Sequence, residues 1–382
     1  MDKNVADVSV KINGASSIDT DRGESLETRG GKGILSVSVD LRLDSPDMFS
    51  VEYDMMALEK LNLIDAFKPG DEVEIAIGLD TQSTLCVGEI AYIEPNFDVQ
   101  LGYRTTISGY HKLHRLTRGH RSKTWGDGPE ANQPPTQAAQ DIINNSKAQK
   151  GGTSDGLSAS DVGSASVKHD YIPQLNASDF EFLRATGSDL EYKADSDKQA
   201  DVAFKQPDVG SEPIVTLVRD RDGSSDGKGV FILSANFRLS TVNQYAKVEV
   251  RSWDFKTKKN IVGKAESSTY AFAGTPGFQA TGKALYGSGS SGRTYVVVDQ
   301  PVNSLEEANT IAQALFDQFS MDFISGEATI QGNPDVAPGK VVAFDGFGKQ
   351  YSGKYLITSA THTYRPEEGY RTALAFTRNA HS

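Results

Sequence analysis

Three histidines crowd one short segment, His111, His114 and His120, with lysines and arginines filling the gaps. Imidazoles so close together raise a metal site. Against it, His111 and His114 have no Cys or Glu at ligand spacing, and zinc sites usually supply a closed ligand set. Lys112, Arg115, Arg118, Arg121 and Lys123 raise a nucleic-acid patch in the same stretch. The basic run ends at Trp125, however, and a formal net charge of −12 opposes general binding to polyanions. A basic strand that is solvated or faces an interface, paired with acidic neighbours, is the blander assignment. Asp179 and Glu181 suggest the carboxylate pair of a glycosidase. Two apart on a predicted helix, they point to different sides, so capping and surface roles are expected. Cys86 lies in a predicted strand and is expected to be a buried, inert thiol. As the one cysteine, it forms no internal disulfide, which points to a reducing compartment or a cysteine-free design. His169 and His362 sit beside strand-like runs and are expected to be structural. There is no nucleophile elbow, phosphate-cradling glycine loop or zinc-protease pair. No catalytic residue, cofactor or metal is therefore assigned.

The elements that must position these groups are mostly strands. Hydrophobic residues make up 37% of the 382 residues and glycines number 36, a composition suited to strands, turns and polar surface. Val8 to Ile12 alternate, and Ser16 to Gly33 reads as a polar loop. Leu35, Val37, Val39, Leu41 and Leu43 then form the apolar face of a half-buried antiparallel strand. Helices are expected over 55–67, over 136–147 and behind Asn176 as N-cap with Asp179 in the first turn. Further strands are expected at 190–194, 202–205, 232–240 and 246–254. Residues 267–293 read as a long extended or mobile loop. Ser304-Leu305-Glu306-Glu307 is a capping box, and Ala308, Ile311, Ala312, Leu315, Phe316 and Phe319 behind it keep helical spacing. The N-terminus has no signal pattern, and no apolar run approaches the ~18 residues of a membrane span.

One pattern occurs twice. Pro69-Gly70 opens a strand, Gly88 precedes another, and Gly102-Tyr103-Arg104-Thr105 opens a third. Pro338-Gly339, Gly353 and Gly369-Tyr370-Arg371-Thr372 repeat that order near the end. A fixed succession of turn, strand, glycine, strand, turn and strand marks one supersecondary unit used twice.

Along the chain run four further motifs. They are Gly109-Tyr110-His111-Lys112-Leu113-His114-Arg115-Leu116-Thr117-Arg118-Gly119-His120-Arg121, then Gln174-Leu175-Asn176-Ala177-Ser178-Asp179-Phe180-Glu181-Phe182-Leu183, then Ser252-Trp253-Asp254-Phe255-Lys256-Thr257-Lys258, and finally Gly332-Asn333-Pro334 with Pro338-Gly339, Tyr351-Ser352-Gly353-Lys354-Tyr355 and Thr361-His362. In this order they resemble the phage late control D family, the baseplate hub proteins of contractile tails, and the hub part of VgrG spike proteins. The likeness is greatest to hubs of extracellular or phage-like contractile injection systems.

The resemblance implies a mainly β fold with two tube-like antiparallel β-barrels and a small α+β module between them. The expected domains are 1–118 for the first barrel, 119–205 for the insert and 206–382 for the second barrel. It also implies a homotrimer whose six similar barrels join a hexameric inner tube to a trimeric spike, alongside other baseplate proteins. Such a hub is not an enzyme. It needs no cofactor, binds no nucleic acid and inserts into no membrane. It is assembled in the cytoplasm within a baseplate and ejected with tube and spike. VgrG proteins continue into an OB-like domain and a needle; this chain stops at Ser382, so a separate spike or needle-tip protein is expected. The expected interface residues are Tyr103, Arg104, Arg115, Arg118, Arg121, Trp125, Tyr370 and Arg371. Two other readings stand beside the hub: a tail-associated cell-wall hydrolase and a carbohydrate-binding module.

Overall fold

The computed structural model describes residues 6–13, 16–19, 33–60, 67–79, 82–100, 102–125, 133–145, 157–169, 172–190, 193–196, 201–219, 229–283 and 293–381. It is mainly β, with 50% strand and 20% helix. The first unit holds β1 (Asp7–Ile12), β2 (Ser16–Asp19), β3 (Ile34–Arg42), β4 (Met48–Asp54), β5 (Glu72–Gly78), β6 (Ser83–Asp98) and β7 (Gly102–His111). Their order in the sheet is β2-β1-β5-β6-β7-β4-β3. Alternation on β3 holds from Val37 to Leu41: Val37, Val39 and Leu41 are buried against Phe49, Val51 and Tyr53 of β4 and Val8 and Val10 of β1, but the bulge at Ile34/Ser36 puts Ile34 in the core and leaves Leu35, like Leu43, half-buried. Burying one face in this way specifies register, because a slip of one residue would turn every apolar side chain outward.

A small α+β module follows. β8 (Arg121–Trp125) pairs with β10 (Ile172–Ala177), while β9 (Ser158–Val162) and β11 (Lys193–Ser196) flank β12 (Asp201–Lys205). Helices Pro135–Asn144 and Asp179–Leu190 cover them. Ile142, Ile143, Trp125, Leu183 and Phe204 share its core. The second helix does not start at Asn176, which has a left-handed φ of 44°. Ser178 caps it: its Oγ accepts from Glu181 N at 3.2 Å, and Glu181 Oε2 accepts from Ser178 N at 2.8 Å.

The second unit comprises β13 (Thr216–Val218), β14 (Val230–Leu239), β19 (Ile324–Gln331), β20 (Val341–Asp345), β21 (Gly353–Arg365) and β22 (Gly369–Arg378). Between β14 and β19 lies a further layer with β15 (Lys247–Asp254), β16 (Lys259–Ala265), β17 (Thr275–Pro276), β18 (Thr294–Val297) and helix Leu305–Met321. β16, β15 and β18 form a sheet whose Val248 and Val250 pack on Ile311 and Phe316 of the helix. β17 pairs with the terminal β23 (Ala380–His381). The expected loose loop at 267–293 is therefore not loose in its described part. Asp317 accepts from Ser268 and Thr269, Tyr270, Phe272 and Phe278 are buried, and a π-helical turn spans Phe278–Lys283. Residues 284–292 lie outside the described range.

The two units have the same strand order: β1-β5-β6-β7-β4-β3 matches β13-β20-β21-β22-β19-β14. Registers agree to the residue for the β3–β4, β4–β7 and β6–β7 pairs and their counterparts, whereas the bulge at Ile75/Ala76 between β5 and β6 has no counterpart between β20 and β21. β-bulges fall at Ile34/Ser36 and Ile90/Tyr92 in one, and at Ile232/Ser234 and Ile357/Ser359 in the other. Gly70 N donates to Ile90 O at 2.8 Å and Ile90 N returns to Asp71 O. Gly339 N donates to Ile357 O at 2.9 Å and Ile357 N returns to Lys340 O. Both turn glycines have positive φ, +88° and +75°, which an L side chain adopts only with strain. The interior glycines do not correspond, however. Gly88 pairs with Val73 and His111, the place held by Tyr355 opposite Val342, so Gly353 lies elsewhere.

Closure differs. β13 runs parallel to both β14 and β20 and completes a closed six-strand barrel. β1 runs antiparallel to β5 and, among the described residues, does not pair with β3. Instead β3 pairs with β21, making one thirteen-stranded sheet of both units.

Candidate functional site

β7 leaves the first unit through a 3-10 helix, Lys112–Thr117, that holds Lys112, His114 and Arg115 of the basic stretch. His111 Nδ1 accepts from Leu113 N at 3.1 Å and so starts the turn. The expected solvated strand begins only at β8. Lys112 and Arg115 point inward: Lys112 Nζ meets Glu72 at 2.6 Å, and Arg115 Nη2 meets Glu89 Oε1 at 2.5 Å with both groups buried. Arg118 adds a second cation on Glu89 at 3.2 Å. Charge pairing with acidic neighbours is found here, but as an interior clamp between β6 and the exit from the barrel. A buried pair is retained because removing either partner strands the other charge. His114 stacks on Tyr110 with ring centroids 5.0 Å apart. Burial, then the Arg118 charge, lowers its pKa, so it is neutral at pH 7.

Arg121 bonds Asp179 at 2.6 Å, and Gln174 bridges the Asp179 carboxylate and the Trp125 indole N–H. Lys123 lies over the Trp125 ring, its Nζ 3.5 Å from the centroid. Asp179 and Glu181 are thus both engaged in holding one helix start. His120 Nε2 lies 3.5 Å from Glu181. Among the described residues no group of three His, Cys, Asp or Glu side chains could hold a metal ion. Burial raises the Cys86 thiol well above its usual range and keeps it protonated, which removes its nucleophilicity.

The eight expected interface residues divide into two sets. Arg115, Trp125 and Tyr370 are interior. Tyr103, Arg118, Arg121 and Arg371 are exposed and Arg104 is half-buried, its guanidinium 3.0 Å from Glu52. The two Gly-Tyr-Arg-Thr turns therefore sit differently. Tyr370 is packed at the seam between the units, where its Oη bonds His362 Nδ1 at 2.7 Å. The Val336 carbonyl, 2.9 Å from His362 Nε2, can only accept, so Nε2 carries the proton and Nδ1 accepts from Tyr370. Burial pushes the Tyr370 phenol up, out of titration range. At the other turn Tyr103 is open to solvent and touches only Phe97 edge-on among ring partners in the described residues.

The seam was not anticipated from sequence. β21 pairs with β20 through its first half and with β3 through Ser359 to Tyr364, in six residue pairs from Ser359↔Arg42 to Tyr364↔Val37. Thr361 Oγ1 donates to Asp40 Oδ1 at 2.9 Å across it. Among the described residues no helix is long and apolar enough to cross a membrane.

A closed six-strand barrel and an open unit of the same strand order are fused edge to edge, with α+β layers on their connections, and solved tail proteins share this fold. The 43 kDa tail protein of prophage MuSo2 from Shewanella oneidensis superposes with a TM-score of 0.66 at 14% identity, over 99% of this chain and 100% of that one. A tail protein from Neisseria meningitidis MC58 gives 0.66 at 14%, over 98% and 97%. An E. coli component of the type VI secretion system, itself similar to the T4 bacteriophage tail proteins gp27 and gp5, gives 0.53 at 12%, over 96% and 76%. No curated protein matches in sequence. The model of the Alg8 N-terminal domain matches residues 57–366, which is most of the chain, and the chain belongs to that family.

Proposed function

We propose that this chain is a structural baseplate hub of a contractile injection system or phage-like tail, of the late control D and VgrG-hub kind. Three copies form a ring that joins a hexameric inner tube to a trimeric spike. One observation carries this reading: two units of one strand order, with two bulges at matching positions, stand side by side in one chain. Three such chains present six near-equivalent surfaces to a six-fold tube while keeping three-fold symmetry toward a spike. The resemblance of the four motifs and the tail-protein fold support the same assignment. The role is mechanical and templating, with no catalytic step.

Light scattering on the purified chain, alone and with its tube protein, tests the reading. A mass of three chains and a tube-bound ring in electron micrographs are expected. A stable monomer under both conditions overturns it.

A further inference from the structure

We infer that copies of this chain join through a second seam: residues 92–97 on β6 of one copy pair antiparallel with residues 235–240, on β14 and just beyond it, of the next. The inference deepens the hub reading and rests on it for the number of copies, though the pairing itself is argued from the internal seam.

The internal seam supplies the template. β21 belongs to the second unit and β3 to the first. The counterpart of β21 in the first unit is β6, and the counterpart of β3 in the second is β14. The shared bulges fix the correspondence: Ile90/Tyr92 matches Ile357/Ser359, and Ile34/Ser36 matches Ile232/Ser234. Both counterpart edges are open among the described residues. β6 pairs with β5 only as far as Glu89 on that side, and β14 pairs with β13 only at Val230 and Phe231. Each unit thus carries one edge of each kind, and one edge of each kind is used inside the chain. The two left over are complementary and head-to-tail, an arrangement that closes into a ring when the rotation allows.

Side chains support the pairing. Tyr364 and Tyr370 close the core at the internal seam and are 1% and 4% exposed. Their counterparts Phe97 and Tyr103 are 67% and 44% exposed. Two large aromatics so placed bury apolar surface only if a neighbour covers them. Transferring the register sets Glu94 opposite Arg238, where the internal seam has the Thr361–Asp40 hydrogen bond. Glu94 and Arg238 are both exposed, and neither has an ion-pair partner among the described residues. Leu43 N bonds Thr358 O, so Thr361↔Asp40 and Thr363↔Ser38 are non-hydrogen-bonded pairs, in which side chains approach most closely. Glu94↔Arg238 and Asn96↔Asn236 inherit that geometry. Pro95 takes the place of His362 and accepts without donating, so the second seam has one ladder bond fewer. A proline on this edge also discourages pairing with unrelated strands.

Paired cysteines test the register. With Cys86 left buried, the Asn96→Cys/Asn236→Cys variant is oxidised and run on a non-reducing gel. A covalent trimer is expected, with each single variant and the off-register pair Asn96→Cys/Ser234→Cys remaining as uncrosslinked chains. Glu94→Arg and Arg238→Glu should each lower the trimer fraction at least several-fold by light scattering, and the double swap should restore it. A trimer by mass that gives no Asn96–Asn236 crosslink overturns this seam and leaves the hub reading intact. Preferential crosslinking of the off-register pair also overturns it. A crosslinked ladder running beyond three chains supports the seam but overturns the closed ring and with it the hub.

Discussion

In the first unit Phe49 on β4 lies over Gly109 on β7; in the second, Phe376 on β22 lies over Gly326 on β19. The positions correspond, but aromatic and glycine have changed strands. A Cβ on Gly109 would stand 2.7 Å from the Phe49 ring, and one on Gly326 2.7 Å from the Phe376 ring. What is kept between the two units is the pair, a ring filling the space that a glycine leaves. What is kept more strictly is the backbone: strand order, bulges and the reciprocal bonds at the Pro-Gly turns. The frame is therefore set by main-chain hydrogen bonding and register, and side chains were free to trade places within it. Differences concentrate where the units meet other things. The exit of β7 carries a buried ion pair, the β14–β19 connection carries a whole layer, and one Gly-Tyr-Arg-Thr turn is buried while the other is open.

Four substitutions probe that comparison. If the aromatic–glycine pairs are equivalent, Phe49→Ala and Phe376→Ala should each cost about 3–5 kcal/mol by denaturant unfolding. Phe376 also touches Phe344 and Tyr355 at centroid distances of 4.5 and 5.0 Å, so its loss should be the larger. A small effect at either site breaks the equivalence. Glu89 stands where the second unit has Leu356. Glu89→Leu should nonetheless cost roughly 3–5 kcal/mol, because it leaves the buried Arg115 guanidinium without its carboxylate. Adding Arg115→Met should recover most of the loss, and no recovery would show that the arginine has a further role.

The capping boxes of the two inserted layers extend the comparison. Ser304 Oγ accepts from Glu307 N at 3.0 Å as Ser178 Oγ does from Glu181 N. Ser304→Ala and Ser178→Ala should cost about 1 kcal/mol each, read from thermal midpoints. The smallest effect is one of pH. The backbone N–H of Ser178, then its hydroxyl, hold the Glu181 carboxyl below its ordinary value. A lowered pKa stabilises the fold above the ordinary carboxylate value, and that contribution is lost as the pH falls through the lowered one. The midpoint drop from pH 7 to pH 3 should therefore be slightly smaller in Glu181→Gln than in the parent chain.

Local signals in the sequence were sufficient for the repeated turns, the alternation on β3 from Val37 to Leu41 and the helix behind Ser304, since each is set by neighbours in the chain. The Ser178 cap had the same Ser-x-x-Glu spacing and was legible, but Asn176 two residues earlier drew the assignment. The false match of Gly88 with Gly353 has a different cause. Only cross-strand register shows that Tyr355 takes the place of Gly88, and register depends on partners remote in sequence. The same is true of the β3–β21 seam, the inward turn of Arg115 and the closure of one unit but not the other. Basic residues in a row look solvated until a buried carboxylate such as Glu89 is brought beneath them.

The layer between β14 and β19 bears on how the chain folds. In the first unit β3 pairs with β4, and β5, β6 and β7 pair in succession, each across a short connection, while β1 waits for β5 and β4 for β7. β14 must wait for β19 until the whole intervening layer has been made, a long closure that slows barrel formation. Yet Ser240 N bonds Phe323 O at 2.9 Å, so the two ends of that layer meet. Once it has folded around Ile311 and Phe316, it presents β14 and β19 to each other as a tight turn would. The layer then works as a built-in clasp that holds the second barrel's β14 and β19 together.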